Sequence, residues 1–465
     1  MRIALRFLSV AFIFLLFATF PDNLSRSATP HHNERFTHQE ETRFYQYLVR
    51  DKIEKIDAAL NRYNWFNGNV MVVKNHKVIY ESARGYANYR TRQPLTTESV
   101  FELASVSKQF TAIAILMLCD RNLIDVDDPV SLYIPELPYQ GVTIRQLLNH
   151  TSGLPNYFWV LENYWSNDHL PSNEDMLKML TKHKPHPFFR AGRRFSYSNT
   201  GYALLASVVE RVTGESFTHF LRKNIFEPLE MHNTFTRAEI LDSTFHHPDI
   251  AQGHHHAWRR LRLNTTVVHD NVLGDKGIHS NLTDLYKWDQ ALYSGILVSN
   301  SLLEQAYQPL VLPNRRSHPY GFGFRTASKN GSNYVYHHGL WEGFRTSFVR
   351  YLENGDAIII LNNTNQQVNN QMIRQIRDIL DEPSEPTPTQ AIILELIRNG
   401  WIHANEIHQE MTRMDKSFSP DPDELLEAAW LLREMNKPML SSLLYQFYEE
   451  AFSEKYAGEA VTYID

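Results

Sequence analysis

The chain has 465 residues, a net charge of −6 and 21% charged residues, which fits one large domain, or one plus an appendage, and argues against a nucleic-acid binder. A single cysteine, Cys119, excludes an intramolecular disulfide and reads as a small core residue rather than a metal ligand.

Residues 1–28 read as an export signal, because Arg2 and Arg6 precede the apolar run FLSVAFIFLLFATF, which gives way to Pro21 and a Ser/Ala stretch. The run is short for a membrane span, so the expectation is a periplasmic or secreted protein with no stable span in its mature form; an uncleaved signal anchor is the alternative. From Gln39 to Tyr63 the spacing of Phe44, Leu48, Ile53, Ile56 and Leu60 predicts an amphipathic helix. Val70–Val73 and Val78–Tyr80, flanking Asn75-His76, predict a hairpin.

The stretch from Phe101 to Leu118, FELASVSKQFTAIAILML, is the chemical centre of the chain. After Phe110 it is almost wholly apolar, which predicts a helix running through the core with Ser105 at its N-terminal end. Lys108 lies three positions on, on the same helical face, within reach of the Ser105 hydroxyl. A serine is a poor nucleophile until a base takes its proton, and an amine withdrawn from water has a lowered pKa suited to that task. A serine at a helix start is more often a mere cap, but a lysine facing an apolar helix needs a partner or a function.

Asn122 to about Leu310 reads as an inserted, mostly helical subdomain punctuated by prolines. Within it YFWVLENYW, Tyr157 to Trp165, reads as an aromatic loop that either packs on the subdomain or walls a cleft. Tyr197 and Asn199 immediately precede an apolar helix starting near Gly201, offering a proton relay and a carbonyl-binding amide. His246-His247, His254-His255-His256 and His269 read as a solvated loop, since adjacent histidines do not aim at one point; no metal and no other cofactor is expected.

Strands are expected at Tyr320–Thr326, Asn333–His337, Phe344–Tyr351 and Ala357–Leu361, with a hairpin tip at Asn330-Gly331, and a helix from Gln366 to Leu380. The strand at YHHGLWEGF ends in a histidine pair and Gly339, whose missing side chain would let a substrate backbone approach the edge. His337 and His338 face opposite ways, and His337 is the one expected to line the cleft. EPSEPTPTQ, 382–390, reads as a linker to a helical extension at 391–465, a packing or partner-binding appendage with no motif that names its partner. The fold class is α+β, an antiparallel sheet built from both ends of a domain at 36–381, with helices on its faces.

Taken together, LASVSKQFTA, DDPVSLYIPELP, VTIRQLLNHTSGL, FSYSNTGYALLASVVERVTG, GDKGIHSNLTDLYKW and HHGLWEGF occur in the order found in the serine β-lactamase and penicillin-binding-protein superfamily. From about Phe44 to Leu380 the chain resembles its class C-like branch of β-lactamases, D-Ala-D-Ala carboxypeptidases, D-aminopeptidases and esterases. The resemblance implies a β-lactamase/transpeptidase-like fold and a hydrolase with no cofactor, acting on a small-molecule or short-peptide substrate. It implies Ser105 as acylated nucleophile, Lys108 and Tyr197 as shared acid and base, and Asn199 at the substrate amide. The backbone N–H groups of Ser105 and Leu340 would form the oxyanion hole. His337 stands where many members carry the lysine of a Lys-Thr-Gly triplet. A neutral imidazole is a poorer carboxylate anchor than an ammonium, which favours ester, amide or D-amino-acid peptide substrates over β-lactams. A catalytically silent binding or scaffold protein on the same fold is the alternative of another class.

Overall fold

The computed structural model describes residues 36–257, 260–264, 266–329, 331–383, 387–399, 408–409, 412–413 and 419–452; the expected export signal falls outside the described residues. These residues cluster into two compact units, one of 56–377 and one from the described parts of 1–55 and 378–465. The principal helices are α1 (His38–Leu48), α2 (Arg50–Asn61), α3 (Ser107–Asp120), α4 (Tyr157–Tyr164), α5 (Asn199–Thr213), α6 (Asn369–Asp381), α7 (Pro388–Asn399), α8 (Pro422–Glu434) and α9 (Pro438–Phe452).

In the larger unit the main sheet comprises β1 (Gly68–Lys74), β2 (Lys77–Arg84), β3 (Arg325–Lys329), β4 (Ser332–Trp341), β5 (Phe344–Tyr351) and β6 (Asp356–Asn362), in the order β3-β4-β5-β6-β1-β2. Every neighbouring pair is antiparallel, and the two ends of the unit meet where Val70 of β1 faces Ile360 of β6. Residues 357–361 of β6 are buried without alternation, so both sheet faces are covered. Asn75 and His76 close the β1-β2 hairpin with φ of 48° and 61°, the left-handed pair that a tight hairpin turn requires. This is the expected α+β architecture.

Helix α3 is buried from Ser107 to Leu118, as its lack of a polar stripe predicts, and Phe110 stacks on the buried Trp288 at 4.0 Å. Ahead of it, Phe101–Glu102 pairs with Ile278–Ser280 in a small three-stranded sheet completed by Phe235–Thr236. The mostly helical insertion therefore carries strand pairs of its own.

Several expected boundaries move. The helix expected across 39–63 breaks at Val49, whose N–H bonds back to the Tyr45 carbonyl as α1 ends. Tyr157 to Tyr164 is helix, not loop: Asn156 accepts the Phe158 N–H at 3.1 Å, and Tyr157, Val160 and Leu161 recur on one buried face. The strand expected at Tyr320–Thr326 begins only at Arg325. Gly321 and Gly323 hold the preceding segment against other backbone instead; a Cβ on Gly323 would stand 2.8 Å from the Lys108 carbonyl oxygen. Part of the expected linker is a helix start, with Thr387 and Gln390 exchanging capping bonds around Pro388.

In the smaller unit α1 packs with the C-terminal helices. Phe44 and Tyr47 join Ile392, Leu425, Leu432 and Phe447 in one apolar cluster. The Tyr47 hydroxyl donates to the Glu424 carbonyl at 2.9 Å, and Lys437 pairs with Glu40 at 3.0 Å.

Candidate active site

Ser105 sits on a single 3₁₀ turn, Ala104–Val106, that delivers the chain into α3. The turn is strained, because Ala104 takes φ of 51°, a left-handed conformation that costs about 1–2 kcal/mol in a residue with a Cβ. It is clamped from two sides: the Leu103 N–H donates to the Ile278 carbonyl at 2.8 Å, and the Thr346 hydroxyl donates to the Leu103 carbonyl at 2.6 Å.

Lys108, 0% exposed, projects its Nζ into the space beside this turn. It donates to Ser105 Oγ at 3.1 Å, to Asn199 Oδ1 at 2.9 Å and to the Asp275 carbonyl at 2.6 Å. Burial pushes its pKa down to about 7, with Asp275 opposing and Arg325 reinforcing the shift. At neutral pH much of this amine is free to accept a proton.

Asn199 opens α5, and Tyr197 precedes it in extended chain capped by Ser198. The Tyr197 ring lies 4.9 Å from Lys108 Nζ. Burial raises the Tyr197 phenol above its ordinary value, while a hydrogen bond with Ser105 and the Arg325 charge oppose the rise.

His150 supports Tyr197 from behind, and no reading of local spacing finds it. Its ring lies 4.3 Å from that of Tyr197, its carbonyl accepts the Ser196 N–H, and its Nδ1 accepts the Ser198 N–H at 3.1 Å. Accepting at Nδ1 fixes the ring proton on Nε2, and burial keeps the imidazole neutral.

His337 faces this cluster, with its ring 6.1 Å from Tyr197, but it does not reach for a substrate. The residue is 1% exposed and both ring nitrogens are committed. Nδ1 donates to the His338 carbonyl at 2.9 Å, so Nε2 accepts from the Tyr320 hydroxyl at 3.1 Å. Burial and the Lys108 charge keep it neutral. The substrate-binding role expected for His337 is therefore replaced by a supporting one. His338 turns to the opposite face and meets the Ser347 hydroxyl at 2.9 Å.

The role expected for Gly339 is also corrected, since the space its missing side chain leaves is filled by protein. A Cβ there would stand 2.1 Å from Thr346 Oγ1, 2.3 Å from the Leu103 carbonyl oxygen and 3.0 Å from the Ala104 Cβ. Gly339 lets the Ser105 turn press against β4. Turn and strand touch one residue before Ser105 and one before Leu340, whose N–H groups are the expected oxyanion donors. Gly339→Ala is expected to lower stability by roughly 1–3 kcal/mol and to depress turnover together with it, checked by urea titration and ester kinetics on one preparation.

A positive charge on this side of the cluster comes from Arg325, which the sequence places in an ordinary strand. Arg325 sits opposite Tyr336, where the pairing of β3 with β4 ends and leaves 337–341 without a β3 partner. Its guanidinium lies 5.7 Å from both the Tyr197 and Tyr320 rings and makes no ion pair among the described residues.

Asp275 and Lys276 brace the opposite side. The Tyr157 hydroxyl meets Asp275 Oδ1 at 3.1 Å, and the buried Lys276 donates to Tyr157, His269 and Val272 while its Nζ lies 4.9 Å from the Trp341 ring. Phe158 lies 5.4 Å from Trp341, so α4 supplies an aromatic wall as well as core packing. A charged pair between glycines, Gly274-Asp275-Lys276-Gly277, is the signal that could have marked this site. The histidines expected on a solvated loop are not all solvated: His254 lies buried on a strand, His254–Ala257, and accepts the Tyr89 N–H, the buried His269 meets Glu162, and His247 meets Asn233.

Comparison with known proteins bears on the family. The beta-lactamase family model matches residues 53–381. Penicillin-binding protein 4* of Bacillus subtilis is 35% identical over 324 residues, covering 68% of this chain and 72% of its own. A D-aminopeptidase of Brucella anthropi is 28% identical over 291 residues, covering 60% of this chain and 52% of its own. The crystal structure of a penicillin-binding protein from Bacillus halodurans superposes with a TM-score of 0.61 at 25% identity, over 69% of this chain and 98% of that one. The chain belongs to the beta-lactamase family, a family of serine hydrolases.

Proposed function

We propose that the protein hydrolyses an amide or ester bond in short substrates bearing a D-amino acid, through an acyl-enzyme on Ser105. The observation that carries this reading is Lys108: one buried amine with a pKa near 7 bridges the serine hydroxyl and the Asn199 amide.

Ser105 Oγ attacks the carbonyl carbon as its proton passes to the Lys108 and Tyr197 pair. The oxyanion is received by the N–H groups of Ser105 and Leu340, and the pair returns the proton to the leaving amine or alkoxide as that bond breaks. Water then attacks the acyl ester by the same route in reverse, freeing the acid and Ser105. Lys108, held near 7, is the more available base of the two, and the Tyr197 phenol, which stays protonated at neutral pH, stands beside it to relay the proton.

Arg325 gives the substrate a chemical character. A permanently charged guanidinium beside an open strand edge suits a free carboxylate next to the scissile bond, as at the C-terminal end of a peptide. This favours carboxylate-bearing D-peptides over neutral esters and keeps β-lactams, which carry a carboxylate, as the second reading. The names of its relatives, a penicillin-binding protein and a D-aminopeptidase, fit this substrate class and a role in cell-wall peptide turnover. An exported location, from residues 1–28, fits as well, with 391–465 as an appendage that takes no part in the chemistry.

The test pairs a D-Ala-D-Ala peptide with its C-terminal amide in the wild type and in Arg325→Gln. The variant is expected to lose about 10- to 100-fold in kcat/KM on the acid and to change little on the amide. Equal losses on both, or none on either, would remove the carboxylate from the substrate description.

A further inference from the structure

Directly beneath the Ser105 turn lies a carboxyl group to which the acyl-transfer steps assign no part. Glu102 is 4% exposed. Its Oε1 accepts the Ala104 N–H at 3.1 Å and the Gly277 N–H at 2.9 Å. Its Oε2 stands 3.2 Å from Nε2 of His279, which is 3% exposed and whose Nδ1 has no partner among the described residues. One carboxylate thus ties the strained Ala104 to the 277–279 segment, immediately before the residue that must present its hydroxyl to Lys108.

We propose that Glu102 is a positioning residue for Ser105: its ionised carboxylate holds Ala104 in the left-handed conformation that aims the serine at Lys108, and protonation loosens that hold. The bond to the Ala104 N–H is charge-assisted only while Glu102 is ionised, and such bonds are roughly twice as strong as neutral ones. When the carboxyl takes up a proton, the new O–H has one facing acceptor, His279 Nε2. The imidazole then moves its own proton from Nε2 to the unpartnered Nδ1, and no charge remains in the pair.

The surrounding groups put this event in the working pH range. Burial pushes Glu102 up to about 7, against the Gly277 N–H and the positive Arg237 and Lys276, with Asp270 adding to the rise. His279 is held down to about 3 by burial and then by Arg237, against the Gly277 backbone, so it stays neutral throughout.

The proposal rests on Ser105 as the acylated nucleophile, and the experiment separates the two. The kcat/KM of an activated short-chain ester is followed from pH 5 to 9 in the wild type, Glu102→Gln and Ser105→Ala. Glutamine keeps an oxygen for the Ala104 and Gly277 N–H groups and an N–H for His279, so it mimics the protonated carboxyl without titrating.

The wild type is expected to lose activity on acidification in two protonation steps, one of the Lys108 and Tyr197 unit and one of Glu102. The Gln variant shows one step, from a plateau about tenfold lower. A merely structural glutamate would change stability without removing a step. A single acid step in the wild type overturns the proposal whether or not the variant folds. Two steps that both persist in a folded Glu102→Gln overturn it equally. If Ser105→Ala keeps full turnover, the nucleophile assignment fails first; Ser105-dependent turnover with a single step removes the role of Glu102 alone.

Discussion

Ser105→Ala is expected to lower turnover by about 10,000-fold or more while leaving the fold intact. The hydroxyl is the only part of the side chain removed, and Lys108 keeps its bonds to Asn199 and to the Asp275 carbonyl, so its amine is not stranded. The Leu103 clamps also remain, since they run through backbone and Thr346. Intact-protein mass spectrometry after brief exposure to a penicillin, and separately to an activated ester, gives the most direct reading. An adduct on the wild type that is absent from the alanine variant establishes the acyl-enzyme, and the reagent that turns over faster separates a lactam-directed site from a peptide- or ester-directed one. Absence of both adduct and turnover in folded wild type would point instead to a binding protein on a hydrolase scaffold.

Lys108→Met is expected to cost about 1,000-fold in the acylation rate, the share that a positioned general base commonly supplies. It should also change how stability depends on pH. In the unfolded chain this amine titrates near 10.5, and in the folded protein near 7. Between those values the unfolded chain carries the extra proton, so in the wild type Lys108 makes stability rise with pH from about 7 to about 10.5. Below 7 both states are protonated and the folded one bears the full burden of a buried charge. Urea midpoints at pH 7 and pH 9.5 should therefore draw closer together in the Met variant. An unchanged separation would mean that Lys108 is not held neutral by burial.

What the sequence made legible was local in character. Ser105 and Lys108 lie one turn apart on a helix whose apolar composition announces its burial, so both the pair and the environment that lowers the amine's pKa can be read from one stretch. Strand pairs with turn residues, such as β1 and β2 around Asn75-His76, were legible for the same reason. What escaped depends on partners distant in the chain. The tautomer of His337 is set by Tyr320 and by its neighbour's carbonyl, so a ring that looked ready to bind substrate is already engaged. Gly339 looked like an opening at a strand edge, yet Leu103 and Ala104 fill it. Arg325 drew no notice because one arginine on a strand is commonplace; its meaning comes from standing where the pairing of β3 with β4 ends. The aromatic run at Tyr157 is helix because Tyr157, Val160 and Leu161 bury one face, a packing outcome that the proline-punctuated surroundings do not announce.

The cluster that joins Phe44 and Tyr47 to Leu425 and Phe447 closes a very long loop, and this bears on the order in which the protein is made. Helix α1 is among the first structured segments to leave the ribosome, and α8 and α9 are among the last. Until they arrive, its aromatic face has none of these partners, and a contact spanning 377 residues, such as that between Tyr47 and Glu424, forms slowly compared with any hairpin. The first helix among the described residues is thus one of the latest to settle. A chain cut short before α8 would leave α1 an adhesive end that invites association between nascent molecules.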